Sequence, residues 1–293
     1  MSDKSPTFPS TKRWAQFENY KMEKFNIDSK TEISFDQNDW NIIENGVSQD
    51  SKAKSLYKYF SVNKFSLDSL KKNYVYLSNP KDFNDPFDCN RNLIIEHQKE
   101  IEEWQYVETL NDISAIGISS FSENGMEPLL WSHYANSYRG FCLKFKPDFI
   151  NESNKELVKL KKVIYSDSPN PISINIKFAK FYQFIVKLNN WNYEKEWRLL
   201  FQNPTSVNSK YYFDENSIEE ISIGYKFMEP RNEEEINLKD QFDRLRKENF
   251  KNIPVYTVGP HNTKLELQKL RLVEGTVEDA SEMVNKNISR MFK

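Results

Sequence analysis

Glycine is the residue this chain uses least freely, and its spacing rules out more folds than any other feature. The seven glycines stand at positions 46, 117, 125, 140, 224, 259 and 275. No two are closer than eight residues, so neither G-x-G-x-x-G, G-x-x-x-x-G-K-[ST] nor G-x-S-x-G occurs. Dinucleotide-binding Rossmann folds, P-loop NTPases and α/β-hydrolases therefore lose their signature. The chemistry of the remaining residues narrows the field further. His97, His133 and His261 are far apart, and Cys89 and Cys142 form no C-x-x-C, which argues against a His/Cys zinc site and a disulfide framework. With 41 Lys and Arg against 43 Asp and Glu, the net charge is −2. No sequence-wide positive field exists to hold a phosphate backbone, although a local basic groove stays open.

The rings decide the class. Aromatic residues make up 14% of the chain, with 21 Phe and 15 Tyr, enough for a sizeable core in a globular protein. The segment order predicts one α+β domain, with a mixed, mainly antiparallel sheet flanked by helices. Residues 1–52 are read as an N-terminal extension with short helices whose aromatics pack on the main domain, residues 53–275 as that domain, and 276–293 as a C-terminal helix. Alternation predicts strands at 55–61, 74–77, 115–122, 141–145, 160–165, 197–201, 218–223, 254–258 and 265–273. Helical spacing predicts helices over 65–72, 93–110, 127–135, 174–188 and 231–250, with Pro128 at a first position where its missing N–H costs nothing. Gly140 is expected to cap or turn the chain. The start carries no apolar leader segment and no run is long enough to span a bilayer, so a cytoplasmic protein without membrane contact is expected.

Three segments carry chemistry. Asp82-Phe-Asn-Asp-Pro-Phe-Asp-Cys places Asn84, Asp85 and Asp88 in a loop stiffened by Pro86. It reads equally as a binding loop or as an Asx turn anchored by its phenylalanines. In Trp131-Ser-His-Tyr-Ala, helical spacing puts Trp131 and Tyr134 on one face with Tyr138, a face most simply read as core, and places His133, read as either structural or catalytic, near a C-terminal turn that favours its charged form. In Glu194-Lys-Glu-Trp-Arg-Leu-Leu-Phe, a strand would align Glu194, Glu196 and Arg198 on one face, with the two carboxylates about 7 Å apart. Trp197, Leu199 and Phe201 would face the core. This charged face reads either as a salt-bridged solvent face or, the reading favoured by the flanking tryptophans, as a cleft wall where Arg198 holds one carboxylate ionised while the other meets substrate.

The ordered blocks LYKYF, YLSNPKDFNDPFDC, ISSFSE, LLWSHYANSYRGFCLKF, VIYS, WNYEKEWRLLF and IEEISIG, spanning residues 55–273, resemble a widespread bacterial family described only as a domain of unknown function. That resemblance implies a component of phage-defence or toxin-antitoxin loci, with an antitoxin or defence-system partner and a protein or nucleic-acid target. The architecture is also similar to the ADP-ribosyltransferase superfamily. This likeness implies an effector acting on NAD, with Tyr57, Lys58 and Tyr59 at the first-strand position, where that superfamily carries Arg or His, and Glu194-Lys195-Glu196 at its Glu-x-Glu position. An ionised Glu196 would then stabilise the oxocarbenium-like centre formed as the nicotinamide–ribose bond breaks.

Taken together, the candidate catalytic residues are Glu196, Glu194, Arg198 and His133. The candidate substrate-binding residues are Tyr57, Lys58, Tyr59, Asn84, Asp85, Asp88, Trp131 and Tyr134. Two other classes stay open. Asp85, Asp88, Glu194 and Glu196 could gather Mg²⁺ for phosphodiester cleavage, since that ion prefers hard oxygen ligands. Alternatively, the chain is a sensor or binding module whose aromatic extension meets a partner.

Overall fold

The computed structural model describes residues 23–35, 40–49, 52–95, 116–150, 157–173, 179–202 and 209–272. Its centre is an eight-stranded sheet. In chain order the strands are β1 (Leu56–Phe60), β2 (Ile116–Ser122), β3 (Phe141–Phe145), β4 (Leu157–Lys162), β5 (Glu196–Gln202), β6 (Ile218–Gly224), β7 (Val255–Pro260) and β8 (Leu267–Arg271). They lie in the order β4-β5-β2-β1-β3-β6-β7-β8. Every neighbouring pair is antiparallel except β6 and β7. This is the mixed, mainly antiparallel α+β architecture that the segment order implies.

Period-two alternation sorts the side chains onto two faces. On one face, Phe121, Leu143, Trp197, Leu199 and Ile221 pack beneath two helices, α1 (Lys64–Lys72) and α4 (Glu233–Asn249). Asn63 caps α1 with a reciprocal box to Ser66, and Leu67 and Leu70 point inward. In α4, Glu233, Glu234 and Glu235 occupy the first turn and Arg246 and Lys247 the last, the order the helix dipole favours, while Phe242 is its buried residue. On the opposite face, Ile118 and Leu200 meet Phe181 and Tyr182 of the short helix α3 (Ala179–Tyr182), together with Ile27, Ile33 and Trp40.

Those last three residues correct the reading of the N-terminus. Where residues 23–48 are described they form a four-stranded antiparallel sheet, not short helices. Ile27, Ile33 and Trp40 are buried against the main domain, with Trp40 stacked on Phe181 at 6.0 Å. The packing of the aromatics was legible, but the period was not, because each strand holds at most five residues. Two other helices shrink. Residues 91–93 form a 3₁₀ turn and 94–95 a strand in place of the start of the 93–110 helix, and Val186–Lys187 is a strand in place of the end of the 174–188 helix. The remainder of the first helix and the 276–293 helix lie outside the described residues.

The sheet is not closed throughout. β1 and β2 share one paired position, Tyr57 with Ser122. Past it the strands part, and β2 instead exchanges both backbone hydrogen bonds between Ile118 and Ser78. The chain leaves Ser78 into the Asn79–Cys89 loop, so the place where the sheet opens is also where that loop is delivered.

Gly140 is required for space rather than for turning. A Cβ there would run into the Phe60 carbonyl oxygen and the Ala135 backbone. Gly140→Ala is therefore expected to cost about 1–3 kcal/mol through overpacking that backbone shifts alone can relieve. Urea denaturation measures this, and a change below about 0.5 kcal/mol, the range of neutral surface changes, would contradict it.

Candidate functional site

A cavity of about 300 Å³ occupies the gap between β1 and β2. Residues from both faces of these strands line it, Tyr57, Lys58 and Tyr59 on one side and Ser120, Phe121 and Ser122 on the other, so it penetrates the sheet. Phe83 and Asn84 of the loop and Tyr134 after α2 (Pro128–His133) complete the mouth, and Asp88, Glu194, Glu196, Arg198 and Lys187 the floor.

The floor is a network of buried charges. Arg198, fully buried, gives a two-pronged contact to Asp88, at 2.8 and 2.6 Å, and another to Glu196, at 2.8 and 3.1 Å. It also contacts the Phe184 carbonyl oxygen at 2.8 Å, the Cys89 sulfur at 3.8 Å and the Phe83 ring at 5.3 Å. Lys187 donates to Glu194 at 2.6 Å and to Glu196 at 3.3 Å, and lies 3.8 Å from Asp88. Tyr134 donates its hydroxyl hydrogen to the other Glu194 oxygen at 2.8 Å.

These contacts push the two glutamates apart. Burial alone would raise the Glu196 carboxyl, but the positive charges of Arg198 and Lys187 outweigh it and hold it at about 2. Glu194 goes the other way: burial and the charge of Glu196 raise it, against the pull of Lys187 and Tyr134. Glu196 is thus the ionised member and Glu194 the one nearer to gaining a proton, the division of labour that separates acid–base partners in one site. Burial works against the Lys187 ammonium too, yet Glu196 and Glu194 prevail and raise it.

Local structure explains how the carboxylates meet. The strand begins at Glu196, not Glu194. Glu194 ends a 3₁₀ turn (Asn189–Glu194), and Lys195 follows in the left-handed region at φ 43°. Their separation is therefore set by a strained turn rather than by strand rise, and one ammonium reaches both. Beyond Glu196 the alternation holds, with Trp197 and Leu199 in one core and Leu200 in the other.

Three expected residues lie elsewhere. His133 is exposed at the end of α2, away from the cavity. Trp131 is fully buried, donates to the Gly125 carbonyl oxygen and stacks on Tyr138 at 6.1 Å, so it is core. Asp85 makes the Asx turn, accepting the Phe87 N–H at 2.9 Å, and does not line the cavity. Of the two phenylalanines expected to anchor the loop, Phe83 does so while Phe87 is exposed. Lys187 is the residue that sequence reasoning missed. Its signal was a lone cation closing the apolar run Phe184-Ile-Val, which demands a buried partner.

The donor set does not suit a divalent cation. Among the described residues no three His, Cys, Asp or Glu side chains converge for a metal, and the oxygens of Asp88, Glu194 and Glu196 already accept from Arg198, Lys187 and Tyr134. A second, polar cleft of about 600 Å³ lies beyond Glu196, where Tyr165, whose hydroxyl accepts the Glu196 N–H at 2.8 Å, forms part of its wall. The ionisable network belongs to the first cavity.

Fold and site together define an α+β protein with a charge-lined pocket set through its sheet. Residues 130–199, which carry Trp131, Tyr134, Lys187, Glu194, Glu196 and Arg198, match a family model described as a protein of unknown function (DUF2971). No curated protein and no solved structure matches. Among the described residues no helix is long and apolar enough to cross a membrane.

Proposed function

We propose that the cavity is the active site of an ADP-ribosyltransferase-like effector of toxin or phage-defence type, which takes NAD as substrate and breaks its nicotinamide–ribose bond. The observation that carries this reading is the pair of glutamates displaced in opposite directions at the floor of an aromatic-walled opening. Cleavage of that bond leaves positive charge on the ribose, and a fixed, ionised Glu196 places negative potential where the charge develops. Nicotinamide departs as a neutral ring and needs no acid. The oxygen of water or of a target hydroxyl bonds to the ribose carbon that nicotinamide leaves and must lose its proton, and Glu194 is the carboxylate whose raised affinity suits it as the base, with the Tyr134 hydroxyl beside it. Tyr57, Tyr59 and Phe83 offer faces to the nicotinamide and its sugar.

Incubation with NAD, with free nicotinamide followed by chromatography, tests this. Wild-type protein is expected to release nicotinamide. Glu194→Gln is expected to slow release by about 10²-fold or more, the usual worth of a general base. Absence of both NAD binding and nicotinamide release by wild-type protein would discard the reading and favour a binding module.

A further inference from the structure

Lys58 is set apart from the other cations of the cavity. Arg198 and Lys187 each answer two or more carboxylates, whereas among the described residues no carboxylate lies within ion-pair distance of the Lys58 ammonium. It donates to the Ser120 carbonyl oxygen at 3.1 Å, across the part of β2 that β1 has abandoned. Its other neighbours are ring faces, Phe121 at 5.1 Å and Phe60 at 5.8 Å. One donor is thus occupied by a neutral acceptor, and the ammonium remains on the wall of an open cavity. A charge drawn partly out of water without a counter-ion is costly, and proteins rarely keep one unless a ligand supplies the missing charge.

We infer that Lys58 is an anion subsite of the cavity, which fixes a carboxylate or phosphate group of the ligand at the parting of β1 and β2. This deepens the proposed function by giving its substrate an obligatory anionic group, and it rests on the same cavity being the binding site. The floor network cannot serve instead. Its Arg198 and Lys187 are held by Asp88, Glu194 and Glu196, whose three negative charges exceed their two positive ones and would repel an anion. An anion therefore binds away from the floor and orients the rest of the ligand toward it.

The proton affinity of Lys58 gives the subsite a signature. Burial lowers it to about 8, against a smaller opposing pull from Glu196. The other charged and titratable groups lining the cavity are Tyr57 and Tyr59 on its own strand, Glu196 and Arg198 on β5, Lys187 and Glu194 beside them, Tyr134 after α2, and Asp82 and Asp88 on the loop. Free Lys58 loses its charge as pH rises through about 8. Anion binding must weaken over the same interval, whereas an arginine in its place stays charged throughout.

Inorganic pyrophosphate is the probe, with binding followed by titration calorimetry on the full chain at pH 7 and pH 9.5. Wild-type protein is expected to bind at pH 7 and to weaken about tenfold or more at pH 9.5. Lys58→Gln is expected to bind at least about tenfold more weakly at pH 7. Lys58→Arg is expected to bind at both pH values, so the subsite remains testable if the glutamine variant does not fold. Unchanged binding by Lys58→Gln, no binding by wild-type protein at pH 7, or the same fall with pH in Lys58→Arg would overturn the inference. Pyrophosphate binding with the Lys58 signature but no release of nicotinamide from NAD would uphold the subsite and discard only the glycosidic reading. Release of nicotinamide by Lys58→Gln with unchanged KM would do the reverse.

Discussion

Replacing Arg198 with alanine is expected to lower the melting temperature by on the order of 10 °C, the largest effect of any single change in the site. Arg198 is fully buried and holds both Asp88 and Glu196. Removing it leaves two carboxylates in a low-dielectric interior with Lys187, among the described residues, as the one other cation within ion-pair distance, which typically costs about 3–5 kcal/mol. For a domain of this size each kcal/mol shifts the midpoint by roughly 2–4 °C. Arg198→Lys should fall between, because an ammonium cannot make two forked contacts at once. Pairing Arg198→Met with Asp88→Asn and Glu196→Gln should recover much of the loss, since the charges that needed compensation are then gone. Differential scanning calorimetry measures all three. A drop of less than about 2 °C for Arg198→Ala would show that Asp88 and Glu196 are hydrated.

The second large effect is at Glu196, where stability and activity are expected to fall together. As a charged residue on a cleft wall, Glu196 would tolerate Gln with little structural cost. Its carboxylate instead accepts from Arg198 and Lys187 while buried. The sign of the pH dependence follows from its low proton affinity. The folded carboxyl titrates at about 2, below its ordinary 4.5. The stabilisation it gives is complete above about pH 4.5 and disappears as pH falls from there through about 2, with a magnitude on the order of 3 kcal/mol. Glu196→Gln should lose that amount at pH 7 and show a shallower decline in stability between pH 4.5 and 2 than wild-type protein. Under the proposed NAD-cleaving function, nicotinamide release should fall at least as far as in Glu194→Gln, because the fixed negative charge of Glu196 is gone. Equal acid sensitivity of the two proteins would mean that Glu196 is not the ionised partner.

Both predictions depend on features that the sequence displayed unequally. Trp197 and Leu199 alternate with Glu196 and Arg198, so the charged pair could be read as sharing a face of a strand whose other face is core. The Asn79–Cys89 loop was recognisable from its proline and its Asx residues, and Asp85 does make the Asx turn. Pro128 and Glu127 opened a helix as their chemistry directs. His133 is open to a structural or a catalytic reading because rarity and a helix end are local cues, whereas its exposed place outside the cavity is decided by what packs nearby. Trp131 and Tyr134 read as sharing a face; Tyr134, whose backbone is still helical as it caps α2, reaches Glu194 through its hydroxyl, while Trp131 is buried in the core.

The sequence by itself determined the class of the fold and the residue types from which a site could be built. Periodicity, capping and proline placement act within a few positions of the chain, and they produce the same strand or helix whatever lies across the core. Only the tertiary structure decided that β1 and β2 part after one pair, that Asp88 arrives from 110 positions away to meet Arg198, and that Lys187 ties both glutamates together. These are contacts between segments distant in sequence. A buried charge can persist only where such segments deliver a counter-charge, and no local pattern records that requirement.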